Sequence, residues 1–263
     1  MEARLGDAVT KRERGEIAHL SFLTPREKRE AERLLQQWGL RERAFFFGGY
    51  PEAERVCLFL LPDYLVDCLP APLSDCELDT VKELLGETLC EAVSPLAISG
   101  SGFRKLTHRD FLGSVLGLGL ERDALGDVAL QNEYEAVLFC PRSLIPFFKT
   151  HLERVGNDAV RVREYQMGPS FTDGRKYQRI TDTVASARLD CVVAALCNLS
   201  REAAQTAIRT GAVEVEYEAC ERPDLALEPP TTVSVRGFGR FILRSFDGET
   251  RKGRLRLCAD RLI

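Results

Sequence analysis

The 263-residue chain has no C-x-x-C pair and only three histidines, so its nine cysteines (57, 68, 76, 90, 140, 191, 197, 220 and 258) lack the spacing and partners of a zinc site. Their odd number and apolar settings, as in RLDCVVAALC and AVLFCP, predict reduced thiols packed in cores. No apolar run reaches the roughly 18 residues of a membrane span. The opening MEARLGDAVTKRERGE is charged throughout, so neither leader nor span is expected and a cytoplasmic location is. A Walker lysine and a G-x-G-x-x-G are also missing, and with them the usual signals for a nucleotide; no cofactor, metal or small-molecule substrate is expected. The string HRD at His108 to Asp110 matches a kinase catalytic loop over three residues only, because Val115 stands where the Asn should be and no D-F-G follows. Thr107 capping a helix, with Asp110 in its first turn, accounts for it, and no catalytic residue is expected.

An excess of positive charge is lacking as well. With 36 Lys and Arg against 40 Asp and Glu, the net charge is -4, which argues against indiscriminate nucleic-acid binding. The basic residues are placed rather than spread: from Arg236 to Ile263 there are eight, Lys252 and Arg254 among them, against three acidic.

The periodicities predict an α+β chain in three segments. Residues 1–85 form an N-terminal α/β module, in which FLTPREKREAERLLQQWG has Thr24 as cap, Pro25 at the first helical position and Glu27 completing a capping box. Two apolar strands follow, separated by Gly48-Gly49. Residues 86–180 read as strand, helix, strand, strand, helix, strand, the ferredoxin-like order shared with RNA-recognition motifs; of the aromatics that could stack a base mid-strand, only Phe139 is available. In residues 181–263, Thr183 and Ser186 precede a helix, Ser200 caps a second that stops at Gly211, and several strands follow.

Three motifs point to RNA. VRGFGRFIL, Val235 to Leu243, opens like the RNP1 strand, but the match ends after four residues and lies outside the segment with RRM order. Its glycines are expected to let a bent strand pass close to another backbone, with Arg236 and Arg240 flanking Phe238. SGSGFRK, Ser99 to Lys105, reads first as a glycine turn from strand to helix, with an auxiliary phosphate contact through Arg104 and Lys105 as the alternative. Ser200-Arg201 places a hydroxyl and a guanidinium at a helix N-terminus, with Gln205 and Arg209 on one face and Thr210 at its end.

SARLD (186–190), LSREAAQTAIRTGAVEV (199–215) and VSVRGFGRF (233–241) together resemble the S4 RNA-binding domain. More broadly, FFFGGYPEAERV, THRDFLGSVLGLGLERDALGDV, LERVGNDAVRV and RGFGRFILRSFDGETRKGRLRL are similar in order and spacing to the YlmH family, over roughly residues 20 to 263. That resemblance implies a noncatalytic protein that binds structured RNA (rRNA and tRNA) on the large ribosomal subunit, in quality control of stalled peptidyl-tRNA complexes. It implies no membrane and a monomer, with RNA contacts at Arg188, Ser200, Arg201, Gln205, Arg209, Thr210, Arg236 and Arg240, joined by Lys252 and Arg254 of the basic tail. Two departures from the S4 pattern are Glu216, where Asn is usual, and Pro230-Thr231 in place of a Gly-Asp turn. An S4-bearing RNA-modifying enzyme and an adaptor linked to cell division are the competing readings.

Overall fold

The computed structural model describes residues 1–263 apart from 72, 74, 75, 169 and 170. It is an α+β chain that divides into two compact units, Met1–Gly174 and Arg175–Ile263.

The first unit contains α1 (Glu2–Glu13), β1 (Ala18–Leu23), α2 (Pro25–Gln37), β2 (Ala44–Phe47), β3 (Val56–Leu60), α3 (Asp63–Val66), α4 (Leu78–Ala92), β4 (Ser94–Gly100), α5 (His108–Leu116), β5 (Val128–Leu130), β6 (Glu135–Cys140), α6 (Ile145–His151), β7 (Arg154–Val155) and β8 (Asp158–Glu164). The capping box that starts α2 is formed: Glu27 N donates to Thr24 Oγ1 at 3.2 Å and Thr24 N to the Glu27 carboxylate at 2.8 Å. Thr107 and Asp110 make the same box at α5.

Two antiparallel sheets organise this unit, one ordered β1-β3-β2 and the other β5-β6-β4-β8-β7. Every residue of β3, VCLFL, is buried. Leu58 and Leu60 enter a core with Leu5, Leu34 and Leu35 of α1 and α2, while Cys57 and Phe59 enter another with Ala129, Val137 and Phe139 of β5 and β6. A strand apolar on both faces needs two covers, and the second cover is the other sheet. Helix α4 joins the same core through Val81, Leu85, Leu89 and Ala92. The boundary expected at residue 85 falls at a kink in α4, where Gly86 leaves helical geometry at φ +47°, and the first 85 residues share their core with the strands that follow.

Alternation along β6 sends Leu138 and Cys140 toward Phe111 of α5 and Phe148 of α6, and Phe139 the opposite way. There Phe139 meets Tyr50, with ring centroids 5.3 Å apart. Gly49, at φ +107°, lies so close to that ring that an added Cβ would stand 2.1 Å from it. Phe139 is thus the seat of the turn at 48–50 and has no surface for a base.

The second unit contains β9 (Tyr177–Val184), α7 (Leu189–Cys197), α8 (Arg201–Arg209), β10 (Val213–Val215), β11 (Glu218–Ala219), β12 (Thr231–Val235), β13 (Gly239–Glu249) and β14 (Leu255–Leu262). Its antiparallel sheet has the order β11-β10-β12-β13-β14-β9. The alternation in TTVSV buries Thr231, Val233 and Val235, and the last two join Leu189, Val193, Ile208, Phe241 and Leu257 in one core. Strand β9 pairs with β14 from Tyr177↔Leu262 to Val184↔Leu255. The unit thereby begins before residue 181, and Thr183 is a strand residue.

Two further expectations are corrected. VRGFGRFIL is a hairpin, since β12 and β13 pair with Ser234 opposite Arg240 and Val235 opposite Gly239. Gly237 (φ +85°) and Gly239 (φ +112°) supply the left-handed turn, and no other backbone crowds them. Of the nine thiols, Cys57, Cys140, Cys191 and Cys197 are buried, whereas Cys68 and Cys90 are exposed. Burial pushes the Cys57 and Cys140 thiols up to about 12.

Candidate nucleic-acid interface

The short helices α7 and α8 present the residues singled out in the sequence. Ser200 caps α8, its Oγ accepting from Ala203 N at 3.1 Å, and Ala204 and Ile208 bury the opposite face of the helix. The start of α7 is pinned by the segment near Pro223, with Leu189 N donating to Leu225 O at 2.8 Å and Asp190 N to Pro223 O at 3.0 Å.

Asp190, which sequence reasoning missed, is the centre of this region. Its side chain has 0% exposure and its carboxylate gathers three of the expected contacts. Arg188 donates from Nε at 3.2 Å and Nη2 at 3.3 Å, Arg201 Nε at 3.1 Å, and Gln205 Nε2 at 2.8 Å. Burial alone would raise the carboxyl; the hydrogen bonds from Arg188, Gln205 and Arg201 outweigh it and hold the group well below the ordinary carboxylate range. The signal in the sequence was an acid at the head of an apolar helix, two residues after an arginine, facing a second helix with Arg and Gln four apart. Only the packing of α7 on α8 reveals that these meet.

The clamp orients the guanidiniums without burying them, as Arg188 is 41% and Arg201 56% exposed. Both keep donors pointing to solvent at the N-terminal ends of the helices, where partial positive charge already favours an anion. Arg209 is exposed at the other end of α8 and makes no side-chain hydrogen bond or ion pair among the described residues. Thr210 does not extend this row: its hydroxyl donates back to Thr206 O at 2.9 Å.

Arg236 and Arg240 lie together on the hairpin. They line an open groove of about 410 Å³ with Gly211, Ala212, Glu214 and Ser234, next to the C-terminal end of α8. Arg240 sits over the Tyr217 ring at 5.1 Å, which fixes its orientation. Glu214, Ser234 and Arg240 follow one line across β10, β12 and β13, so the groove carries one carboxylate among its cations. Glu216 does not add a second: it occupies the β10–β11 turn at φ +52°, and its carboxylate accepts from Thr232 N. Phe238 packs partly buried against the core.

The remaining cations are elsewhere. Lys252 is exposed in the turn between β13 and β14, while Arg254 is held against β9 by its bond from Nε to Thr183 Oγ1 at 3.1 Å. Asp260 ties Arg179 (3.3 Å) and Arg244 (2.8 Å) across the sheet. Arg104 and Lys105 belong to the first unit, where Lys105 is paired with Glu133 at 2.7 Å. No group of metal-ligating side chains occurs among the described residues, and none of the described helices is long and apolar enough to cross a membrane.

Residues 97–168 match a family model described as a putative RNA-binding domain in YlmH. The chain is 29% identical over 216 residues to the ribosome-associated protein quality control protein P2 of Bacillus subtilis (strain 168), an alignment covering 82% of this chain and 77% of that protein. Among solved structures it is similar to the cell division protein ylmH from Streptococcus pneumoniae, with a TM-score of 0.44 and 23% identity over 63% of this chain and 88% of that one.

Proposed function

We propose that the chain is a member of the YlmH family, as the matched RNA-binding domain and the Bacillus subtilis relative support, and that it is a noncatalytic RNA-binding protein of the cytoplasm that acts as a monomer on the large ribosomal subunit, in quality control of stalled peptidyl-tRNA complexes. Residues 175–263 are read as an S4 domain, two helices on a small sheet whose α7–α8 end meets rRNA or tRNA. Residues 94–164 are read as a ferredoxin-like domain, because β8-β4-β6-β5 with α5 and α6 on one face has the strand order of the split βαβ unit.

The observation that carries the proposal is the Asp190 clamp. Three donors on two helices are fixed by one buried carboxylate, the two guanidiniums stay exposed, and at the other end of α8 Arg209 is exposed with no side-chain partner among the described residues. Arginines held in this way lose little further entropy on meeting a phosphate.

Sedimentation of the full chain with purified large subunits, small subunits and free tRNA tests it. Co-migration with large subunits that Arg209→Ala together with Arg236→Ala abolishes is expected. Equal binding to both subunits, or no weakening in the double variant, overturns the assignment of this face. RNA modification or ATP turnover by the pure protein would overturn its noncatalytic character.

A further inference from the structure

Phe103 is 98% exposed, in the loop between β4 and α5. A wholly solvated phenylalanine gains nothing from folding, and its neighbours hold the loop in shape around it. Ser101 donates from N and Oγ to Asp158 at 2.9 and 2.5 Å, Phe103 N donates to Ser101 Oγ at 3.3 Å, and Leu106 N to Glu133 O at 2.8 Å. Gly100 has no room for a side chain, as a Cβ would stand 2.7 Å from Asp158 Oδ2.

This loop rises from the open half of the second sheet. The half formed by β5 and β6 is covered through Ala129, Val137 and Phe139. Over β4 and β8 lies instead a groove of about 850 Å³, lined by Ser99, Gly100, Ser101, Arg161 and Arg163 among others. Of the nearby acids, Glu133 is paired with Lys105 and Glu135 with Arg163 at 2.9 Å and Ser99 at 2.7 Å, while Asp158, which accepts from Ser101, and Asp110, which accepts from Thr107, lie within electrostatic range of Arg104. Neither Arg104 nor Arg161 makes a side-chain hydrogen bond or ion pair among the described residues.

A free ring on an anchored loop, a groove beside it and two unpaired guanidiniums fit one partner chemistry. We infer that this surface takes a single-stranded stretch of RNA, with an unpaired base stacked on Phe103 and backbone phosphates met by Arg104 and Arg161. Duplex RNA keeps its bases stacked on one another, so the ring selects an unpaired one. A protein partner would call for apolar neighbours, and the ring stands among charges. The inference rests on the RNA-binding reading above and adds a second, strand-selective site to it.

Fluorescence anisotropy of the full chain with labelled oligouridylate, and separately with a blunt hairpin RNA, tests it. Phe103→Ala and Phe103→Leu are expected to weaken oligouridylate binding about tenfold, Phe103→Tyr to restore it, and all three to leave hairpin binding unchanged. Because the side chain is solvated, the variants should melt at the wild-type temperature. Wild-type affinity in Phe103→Ala, or in Phe103→Leu, overturns the stacking site. If hairpin binding still depends on Arg209 in that case, the RNA-binding reading survives alone; if the wild type binds neither RNA, both fail.

Discussion

Asp190 is the residue whose chemistry reaches furthest. Replacing Asp190 by Asn removes the charge and turns one of the two accepting oxygens into an amide donor that faces other donors, but the arginines are exposed enough to turn to water. Asp190→Asn should therefore cost about 2 kcal/mol, below the range for breaking a fully buried pair, as measured by urea titration of the full chain. The pH dependence carries a sign that follows from the lowered carboxyl. In the unfolded chain Asp190 titrates near its ordinary 3.8, and in the folded chain below it. The unfolded state consequently binds the proton more tightly, so this contribution is complete well above 3.8 and disappears as pH falls below 3.8 toward the folded value. Melting temperatures taken from neutral pH downward should fall less steeply in Asp190→Asn than in the wild type, with Asp260, also lowered, supplying part of the slope that remains. Identical acid limbs would mean that the clamp contributes nothing to stability.

At the scale of elements, two glycines with positive φ separate two kinds of constraint. Gly237 turns the β12–β13 hairpin in open space, so Gly237→Ala bears only the left-handed backbone cost of about 1 kcal/mol. Gly49 touches the Phe139 ring, so Gly49→Ala adds a clash and should cost about 3 kcal/mol. The sole tryptophan, Trp38, follows α2 in the first unit. Its fluorescence in urea should shift for Gly49→Ala and stay unchanged for Gly237→Ala, while far-ultraviolet circular dichroism registers both. These sites also mark how far the sequence could be read. Thr24 and Thr107 announced their helices because a capping box is local, and YEAVLFC announced β6 because its alternation is local. The packing of Phe139 under Gly49 joins residues 90 positions apart, and the Asp190 clamp joins two helices; neither has a periodicity to betray it. Helix α1, strand β1 and helix α4 lay in stretches whose charged or mixed pattern concealed a buried face, of which Leu5 and Ala8, Phe22, and Val81 and Leu85 are the visible part.

For the whole molecule, the net charge of -4 conceals a division between the units. Residues 175–263 hold 15 basic and 12 acidic side chains, a balance of +3, so the first unit stands at -7. A polyanion is therefore drawn to the second unit and to local patches such as that around Arg104, and repelled from the rest of the first unit. Deleting one cation that meets a phosphate should make the logarithmic salt dependence of binding shallower by about 0.7 to 0.9. Arg209 and Arg236 have no side-chain hydrogen bond or ion pair among the described residues, so Arg209→Ala and Arg236→Ala should lower affinity and slope while leaving the melting temperature unchanged. Arg201 has both roles, since its Nε serves Asp190 and its outer nitrogens face solvent. Arg201→Ala should lower affinity, slope and stability together, and Asp190→Asn should lower affinity with the slope intact, because the cations remain but are no longer held. Anisotropy titrations of one structured RNA across a series of salt concentrations, set beside thermal melts of the same four variants, separate the two effects. Slopes that stay at the wild-type value in Arg201→Ala, Arg209→Ala and Arg236→Ala would remove this face from the RNA interface and leave the clamp as a purely structural device.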